Sequence, residues 1–366
     1  MTDEFYMRQA LRLAKRGEGY VSPNPMVGAV IVKESRIIGK GYHQRYGENH
    51  AEVNAVRNAS ESIEGTTVYI TLEPCSHQGK TPPCADMLLS HQPGRVVVGS
   101  LDPNPLVAGR GMELLRKNGI ATTVGVLEEE CLKLNEKYFK FIRTGLPFVT
   151  LKYAQTLDGQ IATETGHSHW ISSSASRRYA HALRAVNDAI LVGAGTVIQD
   201  NPDLTVRLVK GKNPRRVVVD STLKTPSDAR IYQNQKAAKT MIATTARADR
   251  KKRIMFQHMG VEILEIDADK QGHVDLNKLL SILAGKDIAS LLVEGGSAII
   301  TAFLKEKLTD RVVIIIAPKI IGSGRDAIGD LAVRTMDDAM IIARKKLLRK
   351  GNDLIFIGEI LPQEKR

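Results

Sequence analysis

The sequence predicts an α/β protein in two domains, and three observations carry that expectation. Short β-branched and apolar runs alternate with segments of helical spacing through both halves of the chain, the pattern of sheets covered by helices. With 366 residues there is room for two separate cores. In the second half, strands at 189–192 and 291–293 run into the glycine-rich turns Gly193-Ala194-Gly195-Thr196 and Glu294-Gly295-Gly296-Ser297, each of which opens a helix.

Taken in order, the first 17 residues, MTDEFYMRQALRLAKRG, carry acids early and lack an unbroken apolar core, so they read as an amphipathic helix and not as a signal peptide. Ser22-Pro23-Asn24-Pro25 is a turn whose prolines hold the backbone extended. Residues 27–33 and 36–41 pair as strands, and His43 lies just beyond them. A helix runs from His50 to about residue 58, and residues 67–72 form a β-branched strand ending at Pro74-Cys75. Cys84 precedes a helix at 85–90. A strand at 95–99 is followed by Asp102-Pro103-Asn104-Pro105 and a helix at 111–118.

Residues 127–144 place Leu127, Cys131, Leu134, Tyr138 and Ile142 at helical spacing, and Gly145 and Pro147 end the pattern. Residues 127–146 therefore read as a connecting helix between domains at 1–126 and 147–366, with Cys131 packed on its apolar face. Beyond it, a strand at 148–154 leads to Thr156-Leu157-Asp158-Gly159 and a loop around Trp170, the single tryptophan. A helix at 175–185 and strands at 189–192, 217–220, 241–244 and 291–293 continue the alternation.

Composition narrows the class. Apolar residues make up 43% and charged residues 25%, ordinary for soluble globular protein, and no low-complexity tract, long repeat or membrane-length apolar stretch interrupts the chain. Two of the three cysteines fall in a metal-binding pattern, which leaves Cys131 without a disulfide partner and points to a reducing, cytoplasmic setting. The net charge of +12 fits nucleic acid, anionic small molecules or a solvated surface. The clusters at 250–253 and 344–350 read as exposed helix or strand ends.

The chemistry concentrates between His50 and Cys84. One imidazole, His50, and two thiolates, Cys75 and Cys84, suit zinc and leave a fourth tetrahedral position for water. A closed structural site would need a further Cys or His, and His43 and His77 are the nearby candidates. Glu52 can take a proton from the water and deliver it to a leaving nitrogen. Residues two apart point to opposite sides of a regular helix, so His50 is expected in the irregular opening turn, where it and Glu52 can reach one metal.

The order His-x-Glu, Pro-Cys, Cys resembles the zinc-dependent nucleobase and nucleoside deaminases, in which the Glu is acid/base and not a ligand. Eight residues separate Cys75 from Cys84 where two are usual. That longer pattern, CSHQGKTPPC at 75–84, resembles the deaminase half of the bifunctional riboflavin-biosynthesis deaminase/reductase family. In the second half TLDG, SHWIS, VGAGT, DNPDLTVR and VEGGS occur in the order of that family's reductase half. The resemblance extends from NPMVGAVIV at 24–32 to the VEGGS segment, with the C-terminal tail least distinctive.

The resemblance implies a cytidine-deaminase-like α/β/α sandwich followed by a dihydrofolate-reductase-like α/β domain, with Zn2+ and NADPH as cofactors. His50, Cys75 and Cys84 would be the zinc ligands and Glu52 the catalytic acid/base. Asn24, His43, His77, Lys80, Thr81, Asp102 and Asn104 would contact the pyrimidine and its ribosyl phosphate. Read alone, Asp102 and Asn104 are more often backbone caps of a Pro-rich turn than ligand contacts. Ala154, Trp170, Thr196, Asp200 and Ser221, with the backbone of Gly296 and Ser297, would contact NADPH. Ser168, Arg184, Leu204, Arg207 and Glu294 would hold the phosphorylated substrate.

A guanidinium presents forked donors to paired oxygens, which suits Arg184 and Arg207 to phosphate, although either alone reads more readily as a surface ion pair. Neither glycine-rich turn matches GxGxxG, so the Rossmann fingerprint is absent. The reaction implied is deamination of 2,5-diamino-6-(5-phosphoribosylamino)pyrimidin-4-one, then reduction of its ribosyl group, in an oligomer of at least two copies. The proton donor of the second step stays open among Asp200, Glu294 and water.

Two other readings compete. A deaminase acting on nucleic acid, for instance tRNA, would use the positive charge, but it leaves the second half unexplained and expects the short Cys spacing. A binding protein with structural zinc and an NADPH-sensing domain leaves Glu52 without a purpose beside an open metal position.

Overall fold

Thr2 starts the first helix by accepting a hydrogen bond from Phe5 N at 3.4 Å, and Asp3 and Glu4 complement the dipole in the first turn. This helix, α1 (Asp3–Ala14), buries Tyr6, Met7, Ala10, Leu11 and Ala14. The structure, a computed structural model, describes residues 1–76, 83–105 and 107–361. By its internal contacts the chain divides into two units, Met1–Leu146 and Pro147–Arg366.

In the first unit α1 is followed by β1 (Gly28–Lys33), β2 (Arg36–Tyr42), α2 (Ala51–Arg57), β3 (Thr67–Leu72), α3 (Cys84–His91), β4 (Arg95–Ser100), α4 (Arg110–Lys117) and β5 (Ala121–Val124). The sheet order is β2-β1-β3-β4-β5, antiparallel at β1 and parallel from β3 to β5. Alternation along the strands fills two cores. Ile31, Ile70 and Val98 pack with Ala51, Ala55, Leu88 and Met112 of the helices on one face. Val30, Tyr69 and Val97 pack with Met7, Ala10 and Cys131 on the other.

Glycine permits two close approaches. A side chain at Gly41 would meet Ala51 O at 2.2 Å, so α2 lies directly on β2 and its first turn is fixed in place. A side chain at Gly99 would meet Cys131 Sγ at 2.2 Å.

The stretch 127–146 corrects an expectation. In place of one connecting helix there are two, α5 (Glu128–Leu134) and α6 (Glu136–Thr144), broken at Asn135. The Asn135 side chain accepts from Met26 N at 2.8 Å and donates to Met26 O at 2.9 Å, so its amide works as an extra backbone unit. Cys131 is fully buried, as expected of a packing residue.

The second unit runs β6 (Phe148–Thr156), β7 (Gln160–Thr163), α7 (Ser174–Ala185), β8 (Ala189–Gly193), α8 (Ala194–Asp200), β9 (Arg215–Val219), α9 (Arg230–Gln233), β10 (Thr240–Thr244), α10 (Arg250–His258) and β11 (Glu262–Glu265). It continues with α11 (Leu276–Ala284), β12 (Ser290–Glu294), α12 (Ser297–Lys305), β13 (Arg311–Ala317), β14 (Gly324–Asp326), β15 (Ile342–Lys350) and β16 (Asp353–Ile360). Ser173, Asp249 and Asp275 cap α7, α10 and α11 through their side chains.

The main sheet has nine strands in the order β11-β10-β9-β8-β12-β6-β13-β16-β15. Strands β11 to β13 are mutually parallel, and the β15–β16 hairpin closes the sheet antiparallel. Strand β12 lies between β6 and β8, so the carboxyl ends of three parallel strands converge where the order changes, the place where open α/β sheets form clefts. Among the described residues no helix is long and apolar enough to cross a membrane.

Candidate active sites

Three elements of the first unit bring the metal-type side chains together. His50 is the residue immediately before α2, extended at φ −69° and ψ 167°, so it stands in the irregular opening turn. Cys75 follows the end of β3, and Cys84 is the first residue of α3, where free N–H groups favour a thiolate. Cys84 N donates to Cys75 Sγ at 3.3 Å.

His50 Nδ1 lies 3.6 Å from Cys75 Sγ and 3.3 Å from Cys84 Sγ, and the three ligand atoms lie within 4.8 Å of one another. Zinc with bonds of about 2.3 Å to sulfur and about 2.0 Å to nitrogen spaces tetrahedral S and N ligands about 3.5 Å apart. The donor set fits zinc in both chemistry and spacing. Protein groups alone must share protons here: the hydrogen bond with Cys84 pulls the Cys75 thiol down to about 4, while that same bond and burial push Cys84 up.

Glu52, in the first turn of α2, is 3% exposed, and burial pushes its carboxyl up to about 7. His43 is also buried. Its Nδ1 meets the Asn49 carbonyl at 3.1 Å, so Nδ1 carries the proton and Nε2 accepts from Asn24 Nδ2 at 3.2 Å. With both nitrogens engaged, His43 stands beside His50 at 5.4 Å between ring centres and outside the ligand group.

Asp102 and Asn104 follow β4. The Asp102 carboxylate accepts from Asn104 N at 2.8 Å and from Tyr138 OH at 3.0 and 3.1 Å, which makes it a buried organiser of its own turn. His77, Lys80 and Thr81 lie outside the described residues.

Sequence reasoning missed Glu73 and Tyr138. Glu73 is 4% exposed and accepts from the backbone nitrogens of Asp102 (3.2 Å), Gly109 (2.8 Å) and Gly111 (3.0 Å). An acid at the end of an apolar strand, just before Pro74-Cys75, was the available signal.

In the second unit the cleft at the strand ends holds two adjoining cavities of about 530 and 620 Å3. Both are lined by Lys152, Ala154, Ser168, Arg184, Asp200 and Leu204. The first adds Thr196, Glu294, Gly296, Ser297 and Arg325, and the second adds Trp170, Arg177, His181 and Arg207. Trp170 is 62% exposed, with the Arg177 guanidinium 4.2 Å from its ring centre, so it is a loop residue and not a core plug. Ser221 lines neither cavity. It follows β9 at the same edge of the sheet, and its Oγ accepts from Val274 N at 3.1 Å.

The fork of Arg184 faces a carboxylate. Its Nε and Nη2 donate to Glu294 at 2.9 and 2.8 Å, and Lys152 Nζ reaches the same carboxylate at 3.4 Å. Burial alone would raise the Glu294 pKa, but the charges of Arg184 and Lys152 outweigh it and bring the value down to about 2. Arg207 pairs with Asp203 at 3.1 Å and is half exposed. Lys152 is a further residue that sequence reasoning missed, because a lysine near the middle of a strand carries no local mark of a cavity.

Comparison with known proteins agrees with both halves. Residues 1–100 match the cytidine and deoxycytidylate deaminase zinc-binding region, and residues 147–356 match the RibD C-terminal domain. The chain is 46% identical over 354 residues to riboflavin biosynthesis protein RibD of Aquifex aeolicus (strain VF5), across 96% of this chain and 97% of that protein. The chain belongs to the RibD family.

RibD of Escherichia coli (strain K12) is 41% identical over 368 residues, covering 97% of this chain and 98% of its own. Among solved structures, RibD of Acinetobacter baumannii, form 1, superposes with a TM-score of 0.88 at 36% identity, covering 98% of this chain and 99% of that one. A diaminohydroxyphosphoribosylaminopyrimidine deaminase/5-amino-6-(5-phosphoribosylamino)uracil reductase from Thermotoga maritima superposes at 0.85 with 37% identity and the same coverage. RibD proteins join a zinc-dependent deaminase to an NADPH-dependent reductase, and a match across both halves removes the ground for a stand-alone nucleic-acid deaminase.

Proposed function

We propose that the chain deaminates 2,5-diamino-6-(5-phosphoribosylamino)pyrimidin-4-one in the unit Met1–Leu146. The unit Pro147–Arg366 then reduces the ribosyl group with NADPH to give 5-amino-6-(5-phosphoribitylamino)uracil. The observation that carries this reading is a buried Glu52 beside a His-Cys-Cys donor set, in a chain whose other half has a cavity lined by two glycine-rich turns.

His50, Cys75 and Cys84 would hold zinc, which when bound supplies the Lewis acidity that makes water nucleophilic near neutral pH. Glu52 takes the proton from the attacking water and returns it to the amine that leaves as ammonia. Asn24 and His43, fixed by their mutual hydrogen bond, would contact the pyrimidine together with Asn104, whose turn Asp102 holds. His77, Lys80 and Thr81 complete the assignment.

In the second unit Ala154, Trp170, Thr196, Asp200, Ser221, Gly296 and Ser297 orient NADPH, which supplies the hydride. Ser168, Arg184, Leu204, Arg207 and Glu294 hold the sugar phosphate. As hydride reaches C1′, the bond from C1′ to the ring oxygen breaks and that oxygen needs a proton. Lys152, which donates to Glu294 and lines both cavities, would give it.

NADPH oxidation by the zinc-loaded chain tests the reading. Wild type should consume NADPH with the diaminopyrimidine, whereas Glu52→Gln should do so only with the already deaminated compound. No oxidation by wild type with either compound would remove the reductase assignment. An oligomer of at least two copies accompanies the proposal, supported by apolar Leu347 and Leu354 exposed on the terminal hairpin at the sheet edge, as does a cytoplasmic location. Light scattering of the purified chain checks the former.

A further inference from the structure

Helix α7 carries His181 into the wall of the cavity that also holds Arg207 and Trp170, one turn before Arg184. The ring is 6% exposed, and its Nδ1 lies 2.9 Å from the backbone nitrogen of Arg207. A backbone N–H can only donate, so Nδ1 holds a lone pair and the proton of the uncharged ring is on Nε2. Burial, followed by the positive charges of Arg184 and Arg207, brings the ring pKa down to about 4, so it is uncharged at neutral pH. Among the described residues Nε2 has no hydrogen-bond partner.

The neighbouring cations are already engaged. Arg184 and Lys152 meet Glu294, and Arg207 meets Asp203. A neutral N–H donor with no protein partner among the described residues therefore belongs to the wall of a cavity lined by arginines and Lys152 together with Asp200 and Asp203. A donor without a protein partner in a cavity wall is free to meet a ligand oxygen, and a ligand that lacks that oxygen forgoes the bond.

On the reading of this cavity given above, we infer that His181 is a substrate-binding residue of the reductase site. Its Nε2–H donates to an oxygen of the anionic sugar-phosphate chain, while its Nδ1 holds the backbone at Arg207. The glycine-rich turns line the adjoining cavity and His181 does not, so the contact serves the substrate and not the cofactor.

Three variants of the full chain separate the two ring nitrogens. His181→Asn sets an amide oxygen near the place of Nδ1 and keeps the Arg207 tether, but has no donor at the place of Nε2. His181→Gln reaches the Nε2 place, and His181→Phe has neither group. The readouts are KM and kcat for NADPH oxidation with the deaminated ribosyl substrate, and the Kd for ribose 5-phosphate from Trp170 fluorescence.

Asn and Phe should both raise the substrate KM and the ribose 5-phosphate Kd about tenfold, a loss of about 1.4 kcal/mol. Gln should recover part of this, with the KM for NADPH and the deamination rate unchanged in all three. Wild-type behaviour of Asn would reduce His181 to a backbone tether and overturn the inference, as would a rise in the NADPH KM alone. If wild type does not oxidise NADPH, the assigned reaction fails while the ribose 5-phosphate titration still decides the point. Weaker binding by Asn then upholds the contact; equal binding, or none by wild type, overturns it.

Discussion

Thr196 Oγ1 accepts a hydrogen bond from Gly296 N at 3.2 Å. Thr196 lies in the first turn of α8, directly after β8, and Gly296 immediately precedes α12, after the neighbouring parallel strand β12, so one side-chain oxygen ties the two helix starts together. Thr196→Val keeps the shape and removes the acceptor. A neutral hydrogen bond is worth about 0.5–1.5 kcal/mol, so the KM for NADPH should rise roughly two- to tenfold. Steady-state kinetics with the deaminated substrate checks this, and deamination should be unaffected.

Glu294 should make the stability of the second unit depend on acid. Its carboxyl is held at about 2 against an ordinary value of 4.5, so the folded state releases the proton more readily than the unfolded chain. The stabilisation is complete above about pH 5 and declines as the pH falls through 4.5 towards 2. Glu294→Gln leaves Arg184 and Lys152 buried without their counter-charge and should cost about 3–5 kcal/mol at pH 7. Urea melts followed by Trp170 fluorescence should show the gap between wild type and variant closing as the pH is lowered to 2.

Removal of one metal ligand should separate the two activities. Cys84→Ser should lower bound zinc well below one per chain and abolish deamination, because the remaining imidazole and thiolate make a much weaker site. Reduction of the deaminated compound should persist. Elemental analysis beside the two half-assays decides this, and parallel loss of both activities would count against independent sites.

Glu73→Gln tests the carboxylate behind the Asp102–Asn104 turn. Charge-assisted hydrogen bonds to backbone nitrogens contribute about 1.5–3 kcal/mol, and the amide would turn one acceptor into a donor facing N–H groups. The first unit should unfold at lower temperature, and the deaminase KM should rise several-fold with bound zinc retained. Unchanged kinetics would show that the turn holds its shape without Glu73.

The metal centre was legible because its chemistry is residue-specific and close in sequence: few residue types bind zinc, and His50, Glu52, Cys75 and Cys84 fall in one stretch. The central strands were legible from their β-branched runs. Glu73, Tyr138, Lys152 and His181 were not, because their partners lie far along the chain. Glu73 meets donors 29 to 39 residues away, and Lys152 meets Glu294 across 142.

The break at Asn135 was hidden for the same reason, since its partner Met26 is 109 residues away and helical spacing continues across it. Strand β15, IARKKLLRK, reads poorly as a strand because an edge strand with one neighbour keeps its charges in water.

The close approach of Gly99 and Cys131 says where the gene can be divided. A fragment ending at residue 126 would lose the sulfur that fills the space above β4 and leave Val97 and Met7 facing solvent, together with the Asn135 amide that Met26 relies on. A fragment ending at Leu146 keeps all of these. Expression of the zinc half by itself should therefore succeed with the longer piece and yield insoluble protein with the shorter, although the shorter contains every metal ligand.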